Sequence, residues 1–216
     1  MPETPEEARA AMVERQLRGR GIRDERVLAA LGAIPRHRFV PSDQRHLSYA
    51  DGALPIGEGQ TISQPYVVAR MTELLAPAPG ARILEIGTGS GYQAAVLAQL
   101  GCTVVSYERR PELAETATRL LGELGLGEAV DVRVGDGSAG DPAGGAWDGI
   151  VVTAAAPGMP PGLREQLADG ARLVIPVGRR DQQELTVVER QGDEWLERRD
   201  GTVVFVPLVG EGGFPS

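Results

Sequence analysis

Three clusters of glycines and acids are spaced as if to seat a small polar ligand. The first is Glu85-Ile86-Gly87-Thr88-Gly89-Ser90-Gly91, between a short apolar run and a helical pattern. Glycines at such a point let the chain turn sharply and let a ligand approach the backbone, and the helix start offers free N–H groups. The second is Glu108, about twenty residues on at the end of the next apolar run, where an acid can accept hydrogen bonds from ribose hydroxyls. The third is Gly135-Asp136-Gly137, which closes a further run and could reach an adenine amino group. Taken singly, these are a tight turn, a solvated acid and an Asp-Gly turn. Together, on successive strand ends, they predict one nucleoside site.

The glycine spacing narrows the ligand. A dinucleotide fingerprint reads G-x-G-x-x-G; here it is G-x-G-x-G with an acid two residues ahead. That variant is typical of methyltransferases, whose ligand has no pyrophosphate to seat.

The elements that must carry these residues follow from the pattern. Thr4-Pro5-Glu6-Glu7 predicts a capped helix start, with a helix to about Leu17. Asp24 opens a second helix carrying Val27, Leu28 and Leu31, which ends before Pro35, and Ser42 could start a third. Tyr49 to Gln64 reads as a long functional loop, followed by a helix from Pro65 to about Leu75. From Arg82 strands and helices alternate: strands at Ile83–Ile86, Thr103–Tyr107, Val130–Val134, Gly149–Thr153 and Arg172–Val177, and helices at Tyr92–Leu100, Pro111–Leu124 and Pro161–Leu167. This alternation predicts an α/β fold with a doubly wound, mostly parallel sheet and helices on both faces. Two antiparallel edge strands, Glu184–Arg190 and Thr202–Val206, are expected around a turn at Gln191-Gly192-Asp193. One domain is expected over 1–216: N-terminal helices and loop over 1–78, a ligand-binding core over 79–178, C-terminal strands over 179–209, and a loose tail over 210–216.

Composition restricts the rest. The chain has 216 residues, 42% hydrophobic and 24% charged, and 22 basic against 30 acidic residues give a net charge of -8. That field disfavours nucleic acid and anionic membrane as general partners. Every basic residue is arginine, so lysine-based covalent mechanisms are excluded. Cys102 alone forms no internal disulfide, and His37 and His46 have no ligand set near them, so no metal is expected. No stretch reads as a secretory leader or a membrane span, which makes a cytoplasmic protein the expectation. Ser90 and Ser138 lack the flanking glycines of a nucleophile elbow. Tyr92 either borders the ligand or packs in the core.

With these residues in view, the chain closely resembles the protein-L-isoaspartate (D-aspartate) O-methyltransferases, from about Met12 to Val209. The most specific segment is Gly59-Gln60-Thr61-Ile62-Ser63-Gln64-Pro65-Tyr66; Ile34 to Pro41, Leu84 to Leu97, Val152 to Pro157, Leu173 to Gly178 and Phe205 to Leu208 support it. The resemblance implies an enzyme of protein repair that uses S-adenosylmethionine and releases S-adenosylhomocysteine. Its acceptor would be the free α-carboxylate of L-isoaspartyl and D-aspartyl residues in damaged proteins and peptides. Ser63 would be the active-site hydroxyl, with Thr61 and Ile62 completing the carboxylate site. The cofactor would be held by Glu85, Gly87, Thr88, Gly89, Ser90, Gly91, Glu108, Asp136 and Gly137. A monomer is implied, as is an order of the last two strands unusual among methyltransferases. A threonine that binds ligand in some members has no counterpart, since Val209 follows Pro207-Leu208.

The chemistry suits the residues. A freed α-carboxyl has a pKa of about 3.3–3.7 and is already an anionic nucleophile, so no general base is needed. Three rivals stay open: a methyltransferase with a small-molecule or RNA acceptor, a nicotinamide-dependent dehydrogenase, and a non-catalytic ligand sensor.

Overall fold

The computed structural model describes residues 4–215. Helix α1 (Pro5–Ala11) opens on the expected capping box: the Glu7 amide donates to Thr4 Oγ1 at 3.2 Å, and the Thr4 amide donates to Glu7 Oε2 at 2.8 Å. The helix runs on as a π turn over Met12–Leu17 and a 3-10 turn over Arg18–Arg20, which Gly21 ends at φ 97°. Helix α2 (Glu25–Ala33) is capped by Asp24 and buries Val27, Leu28 and Leu31. Ser42–Leu47 winds as a 3-10 helix.

The stretch read as a long loop is partly a β-hairpin. Strands β1 (Leu54–Gly57) and β2 (Gln60–Ile62) pair antiparallel, Leu54 opposite Ile62 and Gly57 opposite Gln60. The connection, Glu58-Gly59, has positive φ at both residues, 50° and 66°. That backbone matches the right-handed twist of a tight hairpin. Helix α3 (Pro65–Leu75) follows at once, with Pro65 in its first turn.

Seven further strands make one sheet: β3 (Arg82–Ile86), β4 (Thr103–Glu108), β5 (Val130–Val134), β6 (Trp147–Val152), β7 (Leu167–Arg179), β8 (Gln182–Gln191) and β9 (Glu194–Val203). Their order is β5-β4-β3-β6-β7-β8-β9; the pairs from β5 to β7 are parallel, and β7–β8 and β8–β9 are antiparallel. The last two strands therefore continue outward in chain order. Strand β9 starts directly after the Gln191-Gly192-Asp193 turn, earlier than the expected Thr202–Val206. The connecting helices are α4 (Tyr92–Gln99), α5 (Pro111–Glu123) and α6 (Pro161–Glu165).

Alternation along the central strands feeds two cores. Ile83, Val104 and Val151 pack on one face with residues of α2, α3 and α4, while Leu84, Ile86, Ile150 and Val152 pack on the other with Trp147 and Leu163. No helix among the described residues is long and apolar enough to cross a membrane.

The expected loose tail is docked over 210–215, Ser216 lying outside the described residues. The Glu211 amide donates to Asp136 Oδ2 at 3.0 Å and the Gly212 amide to Ser138 Oγ at 2.9 Å. The Phe214 amide returns to the Leu208 carbonyl at 2.7 Å, and the Arg180 guanidinium lies 4.7 Å from the Phe214 ring centre. Glycines at 210, 212 and 213 permit this close docking; their number alone suggested looseness.

Candidate active site

Strand order reverses at β3: the chain moves to β4 and β5 on one side and returns to β6 on the other. In open α/β sheets such a switch point leaves a crevice at the carboxyl ends of the strands. A cleft of about 360 Å³ lies there, lined by the ends of β3, β4 and β6, the loop after β5, the β1–β2 hairpin and the chain over 206–209.

The glycine turn forms its floor. Gly87 and Gly89 have φ of 98° and 52°, and a Cβ on Gly87 would lie 2.5 Å from Thr153 Oγ1. Glycine is required there on both counts. Thr153 Oγ1 donates to the Ile86 carbonyl at 3.1 Å and also to that of Gly87, which fixes the turn from the end of β6. Gly87, Thr88, Gly89 and Ser90 all line the cleft.

Glu108, at the end of β4, is 8% exposed and lines the cleft. Its Oε2 accepts the Gly89 amide at 2.8 Å and its Oε1 the Arg110 amide at 3.0 Å. A carboxylate has about four acceptor sites, so both oxygens can still take ligand hydroxyls. Asp136 and Gly137 line the cleft from the loop after β5. Burial works to raise the Asp136 carboxyl, but hydrogen bonds from Ser138 and from the Glu211 amide outweigh it and hold it below the usual range.

Two residues expected in the site stand behind it. Glu85 is fully buried, does not border the cleft, and shares a hydrogen bond with the Ser106 hydroxyl. Burial pushes its carboxyl up to about 8, against the Ser106 hydrogen bond, and the like charge of Glu108 adds to the rise. Gly91 caps α4 at φ 85° and packs on α5, where its Cβ would lie 3.2 Å from that of Ala117.

At the other end of the cleft are Thr61, Ile62 and Ser63. Ile62 is 2% exposed and anchors the hairpin, leaving half-buried Ser63 between β2 and α3. Gln64 gives α3 no side-chain cap; its amide instead donates to Asp51 Oδ1 at 2.6 Å. The first-turn N–H groups of α3 thus stay free beside Ser63, and such a terminus favours an anion. The hairpin leans over the glycine turn: a Cβ on Gly89 would touch Ile56, and Glu58 pairs with Arg110 at 3.3 Å.

The cleft also holds residues that were not expected in the site. Gln60, Met71, Tyr107, Arg109, Thr153 and the run from Val206 to Val209 all line it. Thr153 was findable, because it ends the strand at the switch point. The run over 206–209 is apolar and reaches the cleft by tertiary folding: the Leu208 amide donates to the Ala155 carbonyl at 2.7 Å. Tyr92 does both things expected of it, bordering the cleft while packing edge-on against Phe39 with ring centres 5.3 Å apart. Among the described residues no group of three or more His, Cys, Asp or Glu could hold a metal ion.

Comparisons with known proteins agree with this geometry. The family model for protein-L-isoaspartate(D-aspartate) O-methyltransferase matches residues 7–213. The protein-L-isoaspartate O-methyltransferase of Methanoregula boonei is 53% identical over 208 residues, covering 96% of this chain and 95% of its own length. That of Methylorubrum populi is 53% identical over 203 residues, covering 94% and 95%. A solved protein-L-isoaspartate O-methyltransferase superposes with a TM-score of 0.83 at 29% identity, over 94% of this chain and 66% of its own. A Plasmodium falciparum structure in complex with S-adenosyl-L-homocysteine shares the fold, with a TM-score of 0.79 at 24% identity over 93% of this chain and 98% of its own. This chain belongs to the protein-L-isoaspartate(D-aspartate) O-methyltransferase family.

Proposed function

We propose that this protein moves the methyl group of S-adenosylmethionine onto the free α-carboxylate of L-isoaspartyl and D-aspartyl residues in damaged proteins and peptides. One observation carries the reading. A single cleft is bounded at one end by the Gly87 turn, Glu108 and Asp136, and at the other by Thr61, Ile62, Ser63 and the uncapped start of α3.

The residues present fit the cofactor. Gly87 and Gly89 present bare backbone to the cleft, Glu108 keeps acceptor capacity for ribose hydroxyls, and Asp136 offers an acceptor for an adenine amino group. When bound, the cofactor supplies a methyl group activated by a sulfonium. The protein's part is placement. The Ser63 hydroxyl and the first amides of α3 hold the acceptor carboxylate, and the hairpin that precedes Ser63 leans over the glycine turn. Fixing two reactants in line can supply roughly 7–11 kcal/mol of the barrier. The carboxylate is ionised at neutral pH and needs no base.

A labelled-methyl assay tests the proposal. An isoaspartyl peptide should gain a base-labile methyl ester, and its normal aspartyl twin almost none. Equal labelling of the two, or of neither, would sink the reading.

A further inference from the structure

Glu85 is a fully buried carboxyl without a cation. On β3 it faces Ser106 of β4 and Val151 of β6. One of its oxygens, Oε2, is within hydrogen-bond reach of Ser106 Oγ; the other, Oε1, has no partner. Ser106 Oγ in turn lies 2.6 Å from Thr88 Oγ1, and Thr88 lines the cleft. No ion pair reaches Glu85 among the described residues, and the charged group that acts on it is Glu108, of like sign. The polar groups of the helices over this face, Thr72, Gln93 and Tyr92, carry no positive charge. Arg36, the buried cation of this layer, lies 4.9 Å from the Tyr92 ring centre and donates to the Ser48 carbonyl at 2.8 Å.

An isolated carboxylate in such a place is costly, and the group takes up a proton instead. We infer that Glu85 is held as the neutral acid and, through Ser106, turns the Thr88 hydroxyl so that its proton points at the bound cofactor. Neutral Glu85 donates to Ser106 Oγ, Ser106 donates to Thr88 Oγ1, and the Thr88 proton is left for the cleft. Ionised Glu85 reverses each bond: it accepts from Ser106, which accepts from Thr88, and the cleft meets lone pairs. Glu85 is thus a positioning residue, and its titration sets whether Thr88 is donor or acceptor. Burial puts that change at about pH 8. The inference rests on the reading that this cleft holds the adenosyl cofactor.

The test is calorimetric titration of S-adenosylhomocysteine into the full chain at pH 7 and pH 9, for wild type, Glu85→Gln and Ser106→Ala. A group that titrates near 8 and must be protonated to bind makes wild-type affinity fall about tenfold over that range. Glu85→Gln cannot ionise and lacks this step, and Ser106→Ala, with the relay cut, lacks it too. Infrared difference spectra should show a protonated carboxyl in wild type at pH 7, missing from Glu85→Gln. The inference is overturned if Glu85→Gln keeps the wild-type step, or if wild type shows no protonated carboxyl at pH 7. Wild type that binds no ligand at either pH overturns the cofactor site itself.

Discussion

Replacing Glu85 by Gln should make the protein more stable, increasingly so as pH rises from 5 to 8. The carboxyl sits near 4.5 in the unfolded chain and is pushed up to about 8 by burial in the native one. Because the folded value is the higher, the native state holds the proton more tightly. The associated stability is present in full below about pH 4.5 and is lost as pH climbs toward 8. Between pH 5 and pH 8 a shift of that size removes about 3–4 kcal/mol, at roughly 1.4 kcal/mol per pH unit over most of the window. Gln keeps the shape of the neutral acid and does not titrate, so it escapes this loss. Urea unfolding of unliganded wild type and Glu85→Gln at pH 5, 6.5 and 8 isolates the effect, since all other groups cancel in the difference. Curves that stay parallel within about 0.5 kcal/mol would refute the reasoning, because they would mean that Glu85 ionises in the fold as it does in water. A difference that shrank as pH rose would refute its sign.

Ser63→Ala should lower kcat/KM on an isoaspartyl peptide about 5- to 150-fold, the range for one polar contact worth 1–3 kcal/mol, and leave S-adenosylhomocysteine affinity unchanged; steady-state kinetics with calorimetry checks both. Gly137→Ala should destabilise by about 1–3 kcal/mol, because the new Cβ would lie 2.7 Å from Ile86 Cδ1 and 2.8 Å from Tyr107 Cβ. Thermal unfolding reads that loss, and an unchanged midpoint would contradict the packing. Deleting residues 210–216 strips the Asp136 loop of two amide contacts. It should weaken S-adenosylhomocysteine binding about three- to tenfold, on the order of one hydrogen bond, and calorimetry on the truncated chain measures it.

The glycine-turn end of the cleft was legible because it obeys local rules. The Gly87 turn, Glu108 and Asp136 each follow an apolar run, and parallel strands bring such ends to one edge. Glu85 shows where the rule stops: an acid two residues ahead of the glycines is still within β3, so its side chain enters the core rather than the cleft. Only the three-dimensional pairing reveals that it meets Ser106. The hairpin at Leu54–Ile62 escaped because its strands have four and three residues and its turn has Glu58 at a positive φ, where Asn or Gly would have signalled it. The first part of β9, over 194–201, escaped because Glu194, Glu197, Arg198, Arg199 and Asp200 hide the alternation. Those charges fit an outer strand with one unpaired edge, which they shield from another chain. The tail differs from its expectation for a related reason: glycine counts as freedom in a sequence, yet at Gly210 and Gly212 it is what lets the backbone reach Asp136 and Ser138. What stayed hidden was each contact made across the fold by a residue whose neighbours in sequence say nothing of it, such as the docking of the chain over 206–209 on the end of β6.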